Sequence, residues 1–591
     1  MSEPLKLGVA DPAAWSALPS RLTLDLTPGP MDWALARQLH ARAPASDPRQ
    51  LALVAATSAA WRQGHACIQI DEPDLAELCG RLPWCQSSGP SSPLVWQAPR
   101  LWLRRAWQAE QTIQRALLDR QARRAPPDAT RLAELEAACG LDETVASHSA
   151  QRAAARAALQ QSFTLITGGP GTGKTHVVAR ILAMRQAESL RLNGRPLRVG
   201  LAAPTGKAAA RLAQSLAQAA HQLPAQWVAH LPLQAMTLHR AVLQASPENP
   251  LMEDLWVVDE ASMIDLELMA RWLSSLSPHA EIVLLGDPDQ LASVEAGAVL
   301  AQLCESPLGA SHRIHLTHSH RFDPDAGIGQ WAALTRSGNA EALKAQWHGL
   351  PELEQAASPE SRAVVMRCTS PHTQPESVAQ WIRSGWQHWL TWLQPFLAGE
   401  RSCTDAHALS GLALWSQFGV LCAMHQGPHG VEGLNAWIHT LLDLPEADAG
   451  GWFVGRPVMV QRNLPHLGLM NGDVGLCLPV QVDGQVRLRV AFAQAEDPQS
   501  PVKWLAPSMV HPVQTAWAMT VHKSQGSEFN QVLIVVPGAN QPLMTREWLY
   551  TALTRAKQAL AIWASDPAVW LQAVERPTHR LGGLADWGHP A

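Results

Sequence analysis

Short apolar runs punctuate the middle of the chain at Phe163–Ile166, Val199–Ala202, Leu255–Val258 and Ile282–Leu285. Each is four to six residues long, is bounded by Gly, Pro or Asp, and alternates with stretches of helical period. Unbroken apolar runs of that length are how strands buried on both faces read, and alternation with helices predicts a parallel α/β sheet. A second series at Val420–Ala423, Val532–Val536 and Leu560–Trp563 predicts a second α/β domain. Residues 1–120 are rich in Ala, Leu and Trp and read as a helical domain with one strand-like run near His65–Ile70. Residues 121–146 are charged and read as a linker ending in a helix. The Trp-rich segment 341–410 carries Trp381, Trp386, Trp389 and Trp392 at a spacing that suits a helix packing face better than a base-stacking platform. Gly-Asp and Asp-Gly turns in 455–510 predict a small β-insertion. The expected plan is therefore a first lobe at 147–340 and a second at 411–454 and 511–591, interrupted by that insertion.

Composition narrows the class. A chain of 591 residues, 47% hydrophobic and 16% charged, is globular and long enough for several cores. A formal net charge of -5 excludes a generally basic surface, so any grip on nucleic acid must come from a local channel. The nine cysteines are odd in number and form no CxxC pair, which favours reduced thiols over disulfides or a zinc ribbon. The start Met1-Ser-Glu-Pro lacks a charged and apolar leader, and no apolar run reaches the ~18 residues of a membrane span, so the protein is expected in the cytoplasm. With 25 Trp, 7 Phe and one Tyr, tryptophan is read mainly as core filler.

Candidate chemistry begins at Gly168-Gly169-Pro170-Gly171-Thr172-Gly173-Lys174-Thr175, a GxxxxGK[ST] string placed between a predicted strand and a predicted helix. Glycines let backbone N–H groups turn toward phosphate oxygens, and a helix N-terminus adds its positive dipole end. Lys174 is expected to reach the β and γ phosphates of ATP, and Thr175 to offer its hydroxyl to Mg²⁺. Asp259 and Glu260 follow a strand about 85 residues on; they fit a metal-holding carboxylate and a base that activates water. After the next strand, Gly286-Asp-Pro-Asp-Gln290 puts Gln290 where a γ-phosphate sensor would stand.

These strings, in this order, resemble superfamily 1 helicases, and within them the RecD family, the alpha subunit of bacterial exodeoxyribonuclease V (the RecBCD complex). Gln151 stands where that family reads adenine. Ala203-Pro-Thr205-Gly-Lys207, Thr237-Leu-His239-Arg240, Leu316-Thr-His-Ser-His-Arg321-Phe, Ala518-Met-Thr520-Val-His522-Lys523-Ser-Gln525-Gly526-Ser-Glu528 and Tyr550-Thr-Ala-Leu-Thr554-Arg555 match its further motifs. The match covers roughly 147–565. Gly64-His65-Ala-Cys67 and Leu101-Trp-Leu-Arg-Arg-Ala-Trp resemble its partner-binding domain more loosely. One departure is His425, where a basic residue is expected.

The resemblance implies an α/β architecture of two RecA-like P-loop lobes, a helical N-terminal domain and an SH3-like insertion in the second lobe. It implies Arg555 as an arginine finger, Arg321 as a second γ-phosphate contact, and Gly526 and Glu528 beside the nucleotide. It assigns strand contacts to Thr205, Lys207, Thr237, His239, Thr520, His522 and Lys523. It further implies DNA as substrate, movement 5′ to 3′, and RecB-like and RecC-like partners. No separate carboxylate cluster with a lysine stands out as a nuclease site, so that chemistry is expected on another subunit. Two alternatives remain at this level: a stand-alone RecD-like helicase, and an assembly subunit whose P-loop is largely structural. Singly, Arg321 and Arg555 also read as plain ion-pair partners.

Overall fold

The computed structural model describes residue 15 and residues 24–586, apart from 86–91, 122–126, 143, 146–147, 233, 247, 324, 355–364, 495–499 and 540. Six parallel strands form the first large sheet, in the order Met236–Thr237, Val199–Ala203, Leu255–Val258, Glu281–Gly286, Phe163–Gly168, Arg313–Leu316. Each strand seen as an apolar run is present, extended by a residue or two except for Leu255–Val258. Met236–Thr237 and Arg313–Leu316 were not foreseen; one is only two residues long, and the other carries Arg313 and His315 on an edge.

Alternation along these strands builds two cores. Ile166, Val257, Val283 and Leu285 face the helices Ser149–Gln160, Lys174–Asn193 and Gly206–Ala220. Phe163, Leu165, Trp256, Ile282 and Leu284 face the other side, where Leu266–Ser275 and Arg104–Leu118 pack. The second of those helices corrects the expected boundary at 120. Ala106, Ile113 and Leu117 are buried in the core of the first large sheet, and Arg120 donates to the carbonyls of Ala280 and Ser277 at 2.8 and 2.9 Å. The N-terminal unit with its own core runs only to about Leu103. It contains a three-stranded antiparallel sheet of Cys67–Gln69, Arg100–Leu103 and Leu94–Gln97, where one strand was predicted. Nor is 121–146 simply a linker. Helix Ala129–Ala138 buries Leu135 on the core behind the P-loop helix, and Glu136 pairs with Arg156 at 2.5 Å. The stretch 123–126 lies outside the described residues.

The second large sheet is also wholly parallel, in the order Val365–Cys368, Ala556–Trp563, Phe529–Val535, Phe418–Cys422, Ala518–Thr520. Its first strand lies inside the segment expected to be helical and separate. The Trp-rich helices Glu376–Gly385 and Gln387–Leu397 belong to the same core: Trp386 meets Phe418 and Trp517 edge-on at 4.9 and 5.2 Å. The second body also begins earlier than 341, because Trp331 of helix Gly327–Arg336 packs on Trp570 at 5.5 Å. Tryptophans at the expected helical spacing thus fill a core.

Five antiparallel strands follow as an insertion, in the order Val502–Leu505, Gln485–Ala493, Val474–Val482, Pro457–Val460, Val513–Thr515, reaching 515 and not 510. Its hairpin turns at Asp483-Gly484, both at positive φ (50° and 76°), as a two-residue turn between right-twisted strands requires. The chain then completes the second sheet and returns. Leu581 exchanges hydrogen bonds with Ala66 and His65 at 2.7 and 3.1 Å, and Arg580 donates to the Glu295 carbonyl at 2.7 Å. The tail of the expected second lobe is thereby attached to the N-terminal unit and the first body.

Candidate active site

The glycine loop runs from the end of the buried strand Phe163–Gly168 into the helix that starts at Lys174, two residues before the predicted start. Gly171 and Gly173 hold φ of 78° and 80°, which side chains with a Cβ rarely adopt. A Cβ on Gly171 would also stand 2.4 Å from the Cβ of Arg321. The loop is clasped from outside: His320 N–H donates to the Gly171 carbonyl at 2.8 Å, and Ser319 Oγ to the Pro170 carbonyl at 3.3 Å. Lys174 Nζ donates to the carbonyls of Gly168 and Gly169 at 2.7 and 3.2 Å.

A cavity of ≈ 520 Å³ opens over this loop. Its walls include Gln151, Pro170 to Thr175, Asp259, Glu260, Gln290, Arg321, Glu528 and Arg555. The first body supplies the glycine loop, the two carboxylates and Gln290; Arg555 and Glu528 come from the second. Sequence-predicted residues more than 400 positions apart therefore share one chamber. Gly526 is not among its walls: a Cβ there would meet Ala208 and Thr205 Oγ1 at 3.7 and 3.8 Å.

Glu260 sits at φ 53°, ψ 41°, a left-handed conformation that a glutamate adopts at an energetic cost. Asp259 Oδ1 accepts its N–H at 2.8 Å. Burial and the neighbouring Glu260 carboxylate push Asp259 up to about 6, with the Lys174 ammonium pulling the other way. Among the described residues, no group of three or more His, Cys, Asp or Glu side chains is placed to hold a metal on its own. The Asp259 carboxylate and the Thr175 hydroxyl do match the hard, sparse oxygen set with which Mg²⁺ is usually held, the rest of its shell coming from water and phosphate. A cation held there would also relieve the crowding of negative charge between Asp259 and Glu260.

Arg555 is 3% exposed and anchored by three bonds: Nε to the Thr551 carbonyl at 3.1 Å, Nη1 to the Ser527 carbonyl at 3.2 Å, and Nη2 to Gln290 Oε1 at 2.8 Å. Among the described residues it has no direct carboxylate partner, so the simple ion-pair reading does not describe it. Arg321 does have one, Glu528 at 2.8 Å, but its Nη1 is buried with no hydrogen-bond partner among the described residues. Glu528 is shared by Arg211, Arg321 and Lys557. Burial would raise its pKa, but the guanidiniums of Arg211 and Arg321 win and hold it down at about 2. Gln151 is bonded through Oε1 to Arg180, beside the glycine loop.

The sequence-predicted strand contacts lie elsewhere. Thr205 stands two residues past the end of one strand and Thr237 ends its neighbour, where it pairs with Ala203. Both cap helices, Thr205 accepting from Ala208 N–H and Thr237 from Arg240 N–H at 3.2 Å each. Thr520 ends the edge strand of the second sheet and accepts from Lys523 N–H at 3.4 Å. Lys207 Nζ donates across the two bodies to Ser527 Oγ at 2.6 Å, and Lys523 Nζ reaches Asn471 of the insertion at 2.6 Å. His239 is exposed; His522 is half-buried, and burial, then the nearby Arg580, lower its pKa. Sequence reasoning missed Arg211, Asp287, Ser527, Tyr550 and Thr551. All stand inside or beside the quoted motifs, and only their roles across the bodies were invisible.

A parallel sheet whose glycine loop feeds a helix, faced by an arginine from a second parallel sheet, is the layout of a P-loop nucleotide-binding protein. Family models agree with it: the AAA domain matches residues 146–349 and the UvrD-like helicase C-terminal domain residues 515–563. The N-terminal domain of RecBCD enzyme subunit RecD matches residues 29–164. The RecBCD enzyme subunit RecD of Mycolicibacterium smegmatis is 36% identical over 95% of this chain and 98% of its own length. That of Haemophilus influenzae is 29% identical over 91% and 93%. A crystal structure of Pif1 helicase from Candida albicans aligns with 73% of this chain and 96% of its own, at 17% identity and a TM-score of 0.35. The chain belongs to the RecD family.

Proposed function

We propose that this protein is an ATP-dependent DNA helicase, the 5′ to 3′ motor subunit of a RecBCD-type helicase and nuclease that processes double-strand breaks for recombination repair. In this reading the two parallel sheets are RecA-like lobes and the antiparallel insertion is an SH3-like accessory domain. RecB-like and RecC-like subunits are the partners, and the N-terminal unit to about Leu103 is the surface that meets them. None of the described helices is long and apolar enough to cross a membrane, and a cytoplasmic site of action fits a DNA-processing assembly.

One observation carries the reading: a single chamber joins Lys174, Asp259, Glu260 and Gln290 of one body to Arg555 of the other. The glycine loop and Lys174 hold the phosphates, and Gln151 the base. Thr175 and Asp259 would hold Mg²⁺, which when bound would neutralise part of the phosphate charge. Glu260 orients and deprotonates the attacking water. Arg321, with one buried Nη1 lacking a partner among the described residues, and Arg555 stabilise charge on the transferred phosphoryl group. Cations on opposite bodies make hydrolysis depend on closure, and a ligand that binds the closed form better shifts the bodies toward it. DNA contacts fall to Thr205, Lys207, Thr237, His239, Thr520, His522 and Lys523, as sequence-independent phosphate and sugar contacts.

Lys174→Gln is expected to abolish DNA-stimulated ATP hydrolysis; a variant that hydrolyses like the parent would end the reading. Deleting residues 1–103 is expected to release the chain from its partners with ATPase retained. Deletion to 120 would also strip Ile113 and Leu117 from the first body's core and cost the ATPase too.

A further inference from the structure

Tyr550, the chain's single tyrosine, lies on helix Arg546–Leu553, just before Arg555. Its ring is buried at 4% exposure, and its hydroxyl donates to Asp287 Oδ2 at 3.0 Å. The same oxygen accepts Gln290 Nε2 at 3.1 Å. Gln290 then has its oxygen left for Arg555 Nη2 at 2.8 Å. Two residues from each body are joined by three bonds in series. The hydroxyl also borders the glycine loop: a Cβ on Gly169 would stand 3.0 Å from it. A further bond across the bodies, Leu291 N–H to Thr551 Oγ1 at 2.9 Å, holds the helix in register one residue on.

The chemistry of an amide gives this chain a direction. A glutamine side chain has a donor end and an acceptor end. While Asp287 takes the donor end, the acceptor end faces the guanidinium. Were the amide to turn, its NH₂ would face Nη2, donor against donor, and the buried guanidinium would lose a partner. Asp287 is 2% exposed, so little water is available to replace Tyr550 as its donor. Burial and the nearby acidic groups push the Tyr550 phenol well above its ordinary range, which keeps the proton that it donates.

We propose that Tyr550 and Asp287 are positioning residues for ATP hydrolysis, which fix the Gln290 amide so that Arg555 is presented to the nucleotide only when the two bodies meet. The proposal rests on the reading of Gln290 and Arg555 given above. Neither Tyr550 nor Asp287 need touch the phosphates. Their contribution is to make the finger's orientation a property of the closed interface.

Tyr550→Phe removes one oxygen and keeps the ring. In the full chain it is expected to lower kcat for DNA-stimulated ATP hydrolysis roughly ten- to a hundredfold, as for a lost hydrogen bond to a charged group, with KM for ATP within about twofold. Asp287→Asn is expected to act in the same direction. The double variant should be no slower than the slower single one, because both substitutions break one chain of bonds. The lone tyrosine offers a second readout: biosynthetic 3-fluorotyrosine gives a single ¹⁹F resonance at this contact. That resonance should shift on Asp287→Asn and on binding of a non-hydrolysable ATP analogue. Parental kcat in Tyr550→Phe, losses that add in the double variant, or a resonance indifferent to Asp287 would overturn the proposal. If Lys174→Gln is inactive while Tyr550→Phe turns over normally, the positioning role alone fails. If Lys174→Gln stays active, the underlying reading fails with it.

Discussion

Around the glycine loop, charged and amide side chains reach across from one parallel sheet to the other. Arg555 meets Gln290, Glu528 gathers Arg211, Arg321 and Lys557, and Tyr550 meets Asp287. At the other edge of the first sheet, and at the edge of the second, the predicted strand contacts mostly turn back on their own segment. Thr205, Thr237 and Thr520 each accept a backbone N–H three residues on. The two ends of the cleft differ in what holds them together. At the nucleotide end the bonds run between bodies, so their integrity depends on closure. At the strand end the hydroxyls cap helices and turns whichever way the bodies stand. Among the described strand contacts, Lys207, bonded to Ser527, and Lys523, bonded to Asn471, tie that end to another part of the molecule.

The largest effect that tells the two ends apart is expected at the finger. Arg555→Ala removes a guanidinium whose three partners span both bodies. Turnover should fall by about 10³- to 10⁵-fold while ATP binding, measured by equilibrium titration with a non-hydrolysable analogue, changes only a few-fold. Loss of binding equal to the loss of turnover would show that Arg555 serves affinity, and the nucleotide end would then be no more dependent on closure than the strand end.

The same contrast explains what could be read from sequence. The glycine loop, the Asp259-Glu260 pair and Gln290 each stand at the end of an apolar run, so local pattern and chemistry coincide. Relations across bodies leave no local trace. Glu528 resembles a nucleotide ligand, yet three cations surround it. Helix Arg104–Leu118 looks like the end of an N-terminal domain, yet its apolar face completes the core of the first large sheet. Val365–Cys368 was hidden because a four-residue edge strand with Arg367 inside it carries no clear period. Tyr550 could have been marked only by its rarity among 25 tryptophans, which says nothing of Asp287.

The smaller effects belong to the strand end, where a hydroxyl that caps a helix and a ring proposed to meet DNA give opposite signatures. Thr237 is 6% exposed and its Oγ1 accepts Arg240 N–H, whereas His239 stands exposed two residues on. Loss of a threonine cap costs about 1 kcal/mol of stability. Thr237→Ala should therefore lower the denaturation midpoint and shift the half-saturating concentration of single-stranded DNA, read by ATPase stimulation, only slightly. His239→Ala should leave the midpoint in place and raise that concentration a few-fold, with a salt dependence no steeper than the parent's, since a contact to the backbone is lost and none is gained. The reverse pattern, a Thr237 variant of parental stability that binds DNA poorly, would mean that the hydroxyl leaves its cap for the strand when DNA is present. The strand end would then be remade by its ligand, as we propose the nucleotide end is by closure.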